Sequence, residues 1–249
     1  MRPPWDYPQP NHGFLLEDDG RVVGAYLALY SERTIDGRRE QVCNLAAWCV
    51  LPSHRHHSVR LLRALLGQTG YHFTDLSPSG NVVPLNRRLR FEMLDTTTAV
   101  VPNVPRLSVS RSVRLISDPI EIAAKLNGRD LELYRDHSDA VAARHLVIVR
   151  GEETCYLMYR RDRRKRLPLF ASFVHVGNPA LLQATEGHLR RFLLLHHAIP
   201  FTLAELRVVG YRPRLSIMLR SPRPKMYRSP TLRPDQVDYL YSELACVEW

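Results

Sequence analysis

The sequence lacks any hydrophobic run long enough to cross a membrane. None of its apolar stretches approaches the ~18 residues that a spanning helix requires. The first residues read MRPPWDYP and lack the apolar core of a signal peptide. From these absences we expect a protein with no membrane partner and a cytoplasmic location.

Cysteine is scarce, and its spacing excludes the usual cysteine chemistry. The four cysteines are Cys43, Cys49, Cys155 and Cys246, and no two of them form a C-x-x-C pair. We therefore expect buried free thiols. Three histidines of one loop, at positions 54, 56 and 57, have no carboxylate or cysteine at ligand spacing. The sequence thus predicts no metal site.

The overall composition is that of a folded globular protein with excess positive charge. Of 249 residues, 45% are hydrophobic and 24% are charged, which excludes general disorder. The formal charge of +10 favours acidic partners such as phosphates, nucleotides or nucleic acid. The most basic run, residues 160–166, is expected to be a solvated hairpin turn. Nucleic-acid binding stays open but is not favoured, because this run has no interleaved aromatic side chains.

The first half of the chain predicts three antiparallel strands followed by a right-handed crossover. Two apolar runs, 13–17 and 21–30, flank a turn at Asp18-Asp19-Gly20, and a long strand follows at 42–50. Leucines at helical spacing predict a helix over 58–66, and a strand parallel to 42–50 is expected at 71–77. A short helix at 79–89 and a strand at 91–94 complete this half.

The second half repeats the same order of elements about 130 residues later. The predicted strands are 145–149, 154–159, 167–176 and 201–209, and a helix is predicted over 181–196. The order predicts an internal duplication, with domains at 1–108 and 109–249. Ser117 is expected to cap a helix that begins near Pro119, and a further helix should follow through Ala142. The fold class is therefore α/β, with mixed, mainly antiparallel sheets flanked by helices.

One junction carries the residues expected of an anion site. Residues 51–57 read LPSHRHH and connect the strand at 42–50 to the helix at 58–66. The start of a helix presents unpaired N–H groups and a positive dipole, and Arg55 and Arg60 add charge. The junction is therefore expected to bind a phosphate or diphosphate.

The order of elements around this junction resembles the GNAT superfamily of acyl-CoA N-acyltransferases, as two copies in tandem. The resemblance rests on the segments 48–62 and 85–91 and covers roughly residues 13–95 directly. In that family the loop reads Arg/Gln-x-x-Gly-x-Gly/Ala and holds the CoA diphosphate. Arg55 matches the first position, whereas Ser58 and Arg60 replace the two small residues. Their Cβ atoms narrow the approach to a phosphate, which their side chains could contact instead.

The resemblance implies acetyl-CoA or another acyl-CoA as co-substrate and no metal. Pantetheine would insert where the strands at 42–50 and 71–77 part. The implied CoA-binding residues are Trp48, Cys49, Val50, Arg55, His56, His57, Ser58, Val59 and Arg60. An amine of a small metabolite or amino sugar would then attack the thioester directly.

The implied catalytic residues are Ser77, Ser79 and Asn86. Such enzymes often use a Tyr to protonate the departing thiolate, and the matching position here is Asn86, which cannot supply that proton. Ser77 and Ser79 are the nearest hydroxyls, and neither has a base partner visible in the sequence. The second copy has no basic loop at 176–180 and is expected to shape the acceptor site or to be structural.

Other interpretations also remain open. The chain could be an inactive GNAT-fold protein that binds an acidic protein or nucleic acid, or a transferase that takes its group from an aminoacyl-tRNA. His175 could serve as a base, although an interior histidine with satisfied hydrogen bonds is the commoner case. A homodimer is also compatible with the sequence.

Overall fold

The computed structural model describes residues 3–104, 112–164 and 167–248. Its contacts divide the chain into two compact units. Unit 1 contains Met1–Asp95 and Arg223–Glu243, and unit 2 contains Thr96–Pro222 and Leu244–Trp249. The predicted domain boundary at 108/109 lies outside the described residues. Nothing in the sequence indicated that the segment Arg223–Glu243 packs with the N-terminal unit.

Both units are built on β-sheets. Among the described residues the strands, numbered along the chain, are β1 Gly13–Asp18, β2 Arg21–Ile35, β3 Arg38–Val50, β4 Tyr71–Asp75, β5 Glu92–Met93, β6 Thr98–Pro102, β7 Val113–Ile116, β8 Arg144–Arg150, β9 Glu153–Arg164, β10 Leu167–Val176, β11 Phe201–Glu205, β12 Ile217–Met218 and β13 Met226–Arg228.

Helices cover these sheets. Over the same residues they are α1 Ser58–Leu66, α2 Val82–Arg88, α3 Pro119–Lys125, α4 Gly128–His137, α5 Pro179–His197, α6 Leu206–Val209 and α7 Glu243–Cys246. A 3-10 turn over Pro52–His57 leads directly into α1. In the described part of the chain, no helix is both long enough and apolar enough to span a bilayer.

The two sheets have the same strand order. The sheet of unit 1 runs β1-β2-β3-β4-β13-β5, and the sheet of unit 2 runs β7-β8-β9-β10-β11-β6-β12. Apart from β7, each position in one sheet corresponds to a position in the other, with β13 and β6 in equivalent places. In each sheet the two strands joined by the crossover helix, β3 with β4 and β10 with β11, pair in parallel. All other neighbouring strands pair antiparallel. The predicted fold class is confirmed, and the shared order is what a tandem duplication would produce.

Each unit has its own hydrophobic core beneath its crossover helix. In unit 1, Leu61, Leu62 and Leu65 of α1 are buried against Tyr26, Tyr30 and other apolar side chains of the sheet. In unit 2, the leucines of α5 pack on β8, β9 and β10. The leucine spacing that predicts α1 therefore also determines which face of the helix is buried.

Several local predictions are wrong. Asp118, not Ser117, caps α3, because its carboxylate accepts hydrogen bonds from the N–H groups of Ile120 and Glu121 at 3.0 Å. The predicted strand at 201–209 ends at Glu205 and becomes the short helix α6. The basic run expected as a turn continues β9 up to Arg164, and its last two residues lie outside the described residues.

Candidate functional site

Strands β3 and β4 of unit 1 pair over only four residues. Their parallel register runs from Gln41 opposite Tyr71 to Asn44 opposite Thr74, although β3 continues to Val50. Beyond Asn44, β3 keeps its pairing with β2 alone. We call this region, where β4 no longer pairs with β3, the β3–β4 opening. Only Asp75 of β4 lies beyond these pairs, so the edge of β3 after Asn44 has no partner in β4.

A β-bulge in β3 accompanies this divergence. Leu27 pairs with Ala47 and Ala28 pairs with Leu45, so Ala46 is an extra residue of β3 at this point. Bulges bend a strand and increase its twist, which directs its end away from a neighbour. The last residues of β3 therefore turn away from β4 directly after the last residue pair between the two strands.

A basic turn connects the end of β3 to α1. This basic turn is defined here as residues 51–60, and it places Arg55, His56 and Arg60 at the surface. The first turn of α1 has no acidic residue, and no side chain caps its N-terminus. Together with the helix dipole, these side chains make the junction attractive to anions.

The backbone of the basic turn differs from the expectation of unpaired N–H groups. The N–H of His54 donates to the Leu51 carbonyl at 2.9 Å, and the N–H of Ser58 donates to the Arg55 carbonyl. Without glycine, the turn adopts a right-handed 3-10 conformation that uses these donors internally. An anion at this turn would therefore be contacted mainly by side chains.

Two of the turn's histidines have their own neighbours. His54 Nε2 lies 3.0 Å from an Asp18 carboxylate oxygen, and its Nδ1 lies 2.8 Å from the Ser53 hydroxyl. The rings of His56 and His57 are 3.9 Å apart. Desolvation and the nearby positive charges of His56 and Arg60 lower the pKa of His57. His57 is therefore mainly neutral at neutral pH.

The end of β3 presents side chains of different character. The Trp48 indole stacks on the Tyr26 ring with centroids 4.7 Å apart, and its buried Nε1 has no hydrogen-bond partner among the described residues. Val50 is half-buried and Cys49 is exposed. The expectation of buried free thiols holds for the other three cysteines and is wrong for Cys49.

A buried carboxyl pair lies where β4 ends. Asp75 is the last residue of β4, and Glu243 comes from the end of the C-terminal segment of unit 1. Both side chains are buried, and the side-chain Oδ1 of Asn44 accepts the backbone N–H of Glu243 at 3.1 Å. The Asn44 amide also donates to the Thr74 hydroxyl at 3.0 Å. The pair therefore borders the last paired residues of β3 and β4.

The predicted residues Ser77 and Asn86 each contact one member of this pair. The Ser77 hydroxyl donates to Glu243 Oε1 at 2.7 Å, and the Asn86 amide donates to Asp75 Oδ2 at 2.8 Å. The sequence shows no base partner for Ser77, because the carboxyl that the hydroxyl contacts comes from a residue 166 positions away. Ser79 is exposed, and its carbonyl accepts the N–H groups of Val82 and Val83 at the start of α2.

Burial changes the acidity of both carboxyls. It raises the pKa of Asp75 to about 6, against the hydrogen bond from Asn86. Burial, together with the nearby charge of Asp75, raises the pKa of Glu243 to about 7. Burial also raises the pKa of Tyr26, and the charges of Asp75 and Glu243 add to that rise. Near neutral pH this pair can therefore take up or release a proton.

Unit 2 has a similar strand divergence without the basic turn. β10 pairs with β11 only from Phe170 to Ser172, and Val174 is an extra residue opposite β9. β10 then leads through two residues into α5, where the Asn178 side chain caps the helix by accepting the N–H of Leu181 at 3.0 Å. The end of this strand and the start of α5 are therefore almost continuous.

The junction between β10 and α5 contains a carboxylate that belongs to unit 2. Asp130 of α4 approaches Gly177 so closely that a Cβ built there would be 2.9 Å from Asp130 Oδ2. His175 Nε2 is 3.9 Å from Asp130 Oδ1, which is beyond hydrogen-bond distance. His175 Nε2 has no hydrogen-bond partner within the described ranges, so the interpretation of a satisfied histidine is wrong.

Comparison with known proteins finds similarity at the level of structure. No family model matches the chain, and no curated protein matches it. A GCN5-related N-acetyltransferase from Anabaena variabilis matches with a TM-score of 0.54 and 14% identity over 86% of this chain and 61% of that one. A probable N-acyltransferase from Enterococcus faecalis, described as a conserved protein of unknown function, matches with a TM-score of 0.53 and 13% identity over 87% and 60%.

A third solved structure is similar to this chain to about the same degree. It is a GCN5-related N-acetyltransferase from Kribbella flavida, with a TM-score of 0.52 and 15% identity over 84% of this chain and 57% of that one. The chain thus spans about three fifths of the length of these structures. Their identities to this chain are low, so the likeness concerns the fold. The chain has the fold of the GCN5-related N-acetyltransferases.

Proposed function

We propose that unit 1 binds acyl-CoA and transfers the acyl group, most simply acetyl, to an amine of a small metabolite or amino sugar. The observation that carries this proposal is the position of the β3–β4 opening directly before an exposed basic turn and a helix N-terminus. An extended ligand can follow the edge of β3 that β4 leaves, with its anionic end at the turn. The fold comparison supports the same class of reaction.

The residues for the donor follow from this placement. Arg55 and Arg60 are exposed and would bind the CoA diphosphate through side-chain hydrogen bonds. His56, His57, Ser58 and Val59 line the same turn. Trp48, Cys49 and Val50 would lie along the pantetheine arm, because they form the last part of β3.

The chemistry requires one bond to form and one to break. The acceptor nitrogen attacks the thioester carbonyl carbon, the C–N bond forms, and the C–S bond breaks. One proton leaves the nitrogen and one reaches the sulfur. Asn86 supplies neither transfer, because its amide is a weak acid and donates to Asp75. Holding the amine and the thioester together would provide much of the rate enhancement.

Calorimetry with two ligands tests the donor assignment. Acetyl-CoA should bind with one equivalent per chain, and S-acetylpantetheine, which lacks the diphosphate, should bind far more weakly. The difference measures the contribution of the basic turn. Absence of heat with acetyl-CoA at millimolar concentration would overturn the proposal.

A second function is favoured by two specific observations. The turn's N–H groups at His54 and Ser58 are used internally, and Asn86 stands where a proton-donating tyrosine is expected. Both fit a binding protein without catalysis that uses its net charge of +10 on an acidic partner. Salt-dependent retention on DNA, with no change of melting temperature on adding CoA, would favour this second function.

A further inference from the structure

We infer that Glu243 and Ser77 form the proton relay of the transfer reaction, in which the Ser77 hydroxyl meets the reacting atoms and Glu243 holds the proton behind it. This inference rests on the proposed acyl transfer and names the groups that complete it. Ser77 is the catalytic residue in this scheme, and Glu243 is a positioning residue that acts through it.

Geometry is the first support. Ser77 follows β4 beside the β3–β4 opening and is half-buried, whereas Glu243 is completely buried. The two are joined by a hydrogen bond of 2.7 Å from the Ser77 hydroxyl to Glu243 Oε1. Ser77 therefore separates a buried carboxyl from the more exposed side, as a relay hydroxyl must.

The second support is the capacity of the Glu243 carboxyl to take up a proton. Its Oε2 is buried and has no hydrogen-bond partner among the described residues. A buried carboxylate oxygen without a partner is costly, and protonation of the carboxyl lowers that cost because it removes the negative charge. The site is therefore suited to hold a proton.

The charged neighbours explain why Glu243 changes its protonation near neutral pH. Asp75 of β4 and Tyr26 of β2 interact with it electrostatically, and Ser77 and Asn44 contribute neutral hydrogen bonds. Burial and the Asp75 charge raise the pKa of Glu243 to about 7. The Asn86 amide binds Asp75, which helps keep the negative charge on that carboxyl.

The proton balance of the step is complete without another reactant. As the amine nitrogen bonds to the carbonyl carbon, its proton moves to Ser77 Oγ while the Ser77 proton moves to Glu243 Oε1. The C–S bond then breaks and the electron pair leaves on sulfur. The same relay runs in reverse and returns the proton to the thiolate. The products are an amide and free CoA, and Glu243 is again ionised.

The test compares Glu243→Gln and Ser77→Ala with Glu17→Gln, a control at an exposed carboxyl of β1. Thiol release is followed from acetyl-CoA with glucosamine, lysine and spermidine as amine probes, from pH 5 to pH 9. Glu243→Gln and Ser77→Ala should each lower kcat about 10²- to 10⁴-fold and leave acetyl-CoA affinity unchanged. The wild-type inflection near pH 7 should disappear in Glu243→Gln and remain in Glu17→Gln.

Two conservative variants separate relay from structure. Glu243→Asp and Ser77→Thr should each recover part of the rate, and Glu243→Asp should keep an inflection. Retention of the inflection near pH 7 in Glu243→Gln would overturn the inference. Wild-type protein that binds acetyl-CoA but releases thiol with none of the three amines would also overturn it and leave the donor site standing. Wild-type protein that does not bind acetyl-CoA would instead overturn the proposed function.

Discussion

The two units share the same separation of a parallel strand pair but differ in the segment that follows it. In each unit a parallel pair separates beside a bulge, at Ala46 in β3 and at Val174 in β10. In unit 1 the strand continues into an exposed basic turn. In unit 2 it runs straight into α5, and the carboxylate of Asp130 lies against Gly177. The same strand divergence therefore precedes different side chains at the following helix, and we expect these side chains to decide whether an anion binds.

The largest expected effect comes from removing the positive charge that distinguishes unit 1. The double variant Arg55→Ala/Arg60→Ala should weaken acetyl-CoA binding about 10²- to 10⁴-fold, since two charge-assisted hydrogen bonds contribute about 1.5–3 kcal/mol each. Calorimetry measures the change. Arg63→Ala, which removes an exposed arginine of α1 beyond the basic turn, is the matched control and should bind normally. Equal loss in the control would assign the effect to net charge.

The next effect concerns the helix that carries the basic turn. Leu62 of α1 is completely buried, so Leu62→Ala should reduce the free energy of unfolding by about 2.7–5 kcal/mol. Leu195 of α5 is 56% exposed, and Leu195→Ala should change it by less than about 0.5 kcal/mol. Urea unfolding gives both values. Similar losses in the two variants would contradict the assignment of the α1 leucines to the core.

The units should also respond to pH in opposite directions. In unit 1, burial raises the pKa of Glu243 from 4.5 to about 7, so its contribution to stability is present at low pH and lost as pH rises through that range. In unit 2, burial lowers the pKa of His145 from 6.5 to about 4, so its contribution is present above pH 6.5 and lost as pH falls. Each change corresponds to on the order of 3 kcal/mol.

Two variants make this opposition measurable. As the pH rises from 5 to 8, Glu243→Gln should become more stable relative to wild type. As the pH falls from 7 to 4, His145→Gln should become more stable relative to wild type. Urea unfolding at these pH values measures the differences. A difference between wild type and either variant that stays constant with pH would show that the group does not titrate in its range.

The smallest effect is expected at the start of α5. Asp130→Asn removes the negative charge beside Gly177 and should reduce the free energy of unfolding by about 0.3–1 kcal/mol, the usual contribution of a charge near a helix N-terminus. Glu132→Gln, at an exposed position of the same helix α4, is the control. A stability gain in Asp130→Asn would contradict a favourable interaction between this carboxylate and the start of α5.

Local sequence signals predicted the frame of the site well. The leucine spacing that ends at Gly67 predicts α1 with its observed bounds, because an amphipathic face and a stop signal lie within one short window. The strand–turn–helix junction at 42–66 also follows from local patterns. The hairpin around Asp19 and Gly20 has the expected turn, with positive φ at both residues.

The features that depend on distant contacts could not be predicted in this way. Strands β6 and β13 are short, and their neighbours in the sheets lie about a hundred or more residues away, so no periodicity marks them. The same holds for Glu243, whose acidity and contact with Ser77 arise only after residues 166 positions apart meet. No sequence pattern within the C-terminal segment distinguishes Glu243 from a surface carboxylate.

Hydrogen exchange with and without acetyl-CoA tests the central claim most directly, namely that unit 1 holds the donor at its basic turn and unit 2 does not. Saturating acetyl-CoA should protect backbone amides within residues 46–60 and leave those within 174–182 unchanged. Protection at 174–182, or bound acetyl-CoA without protection at 46–60, would contradict the account.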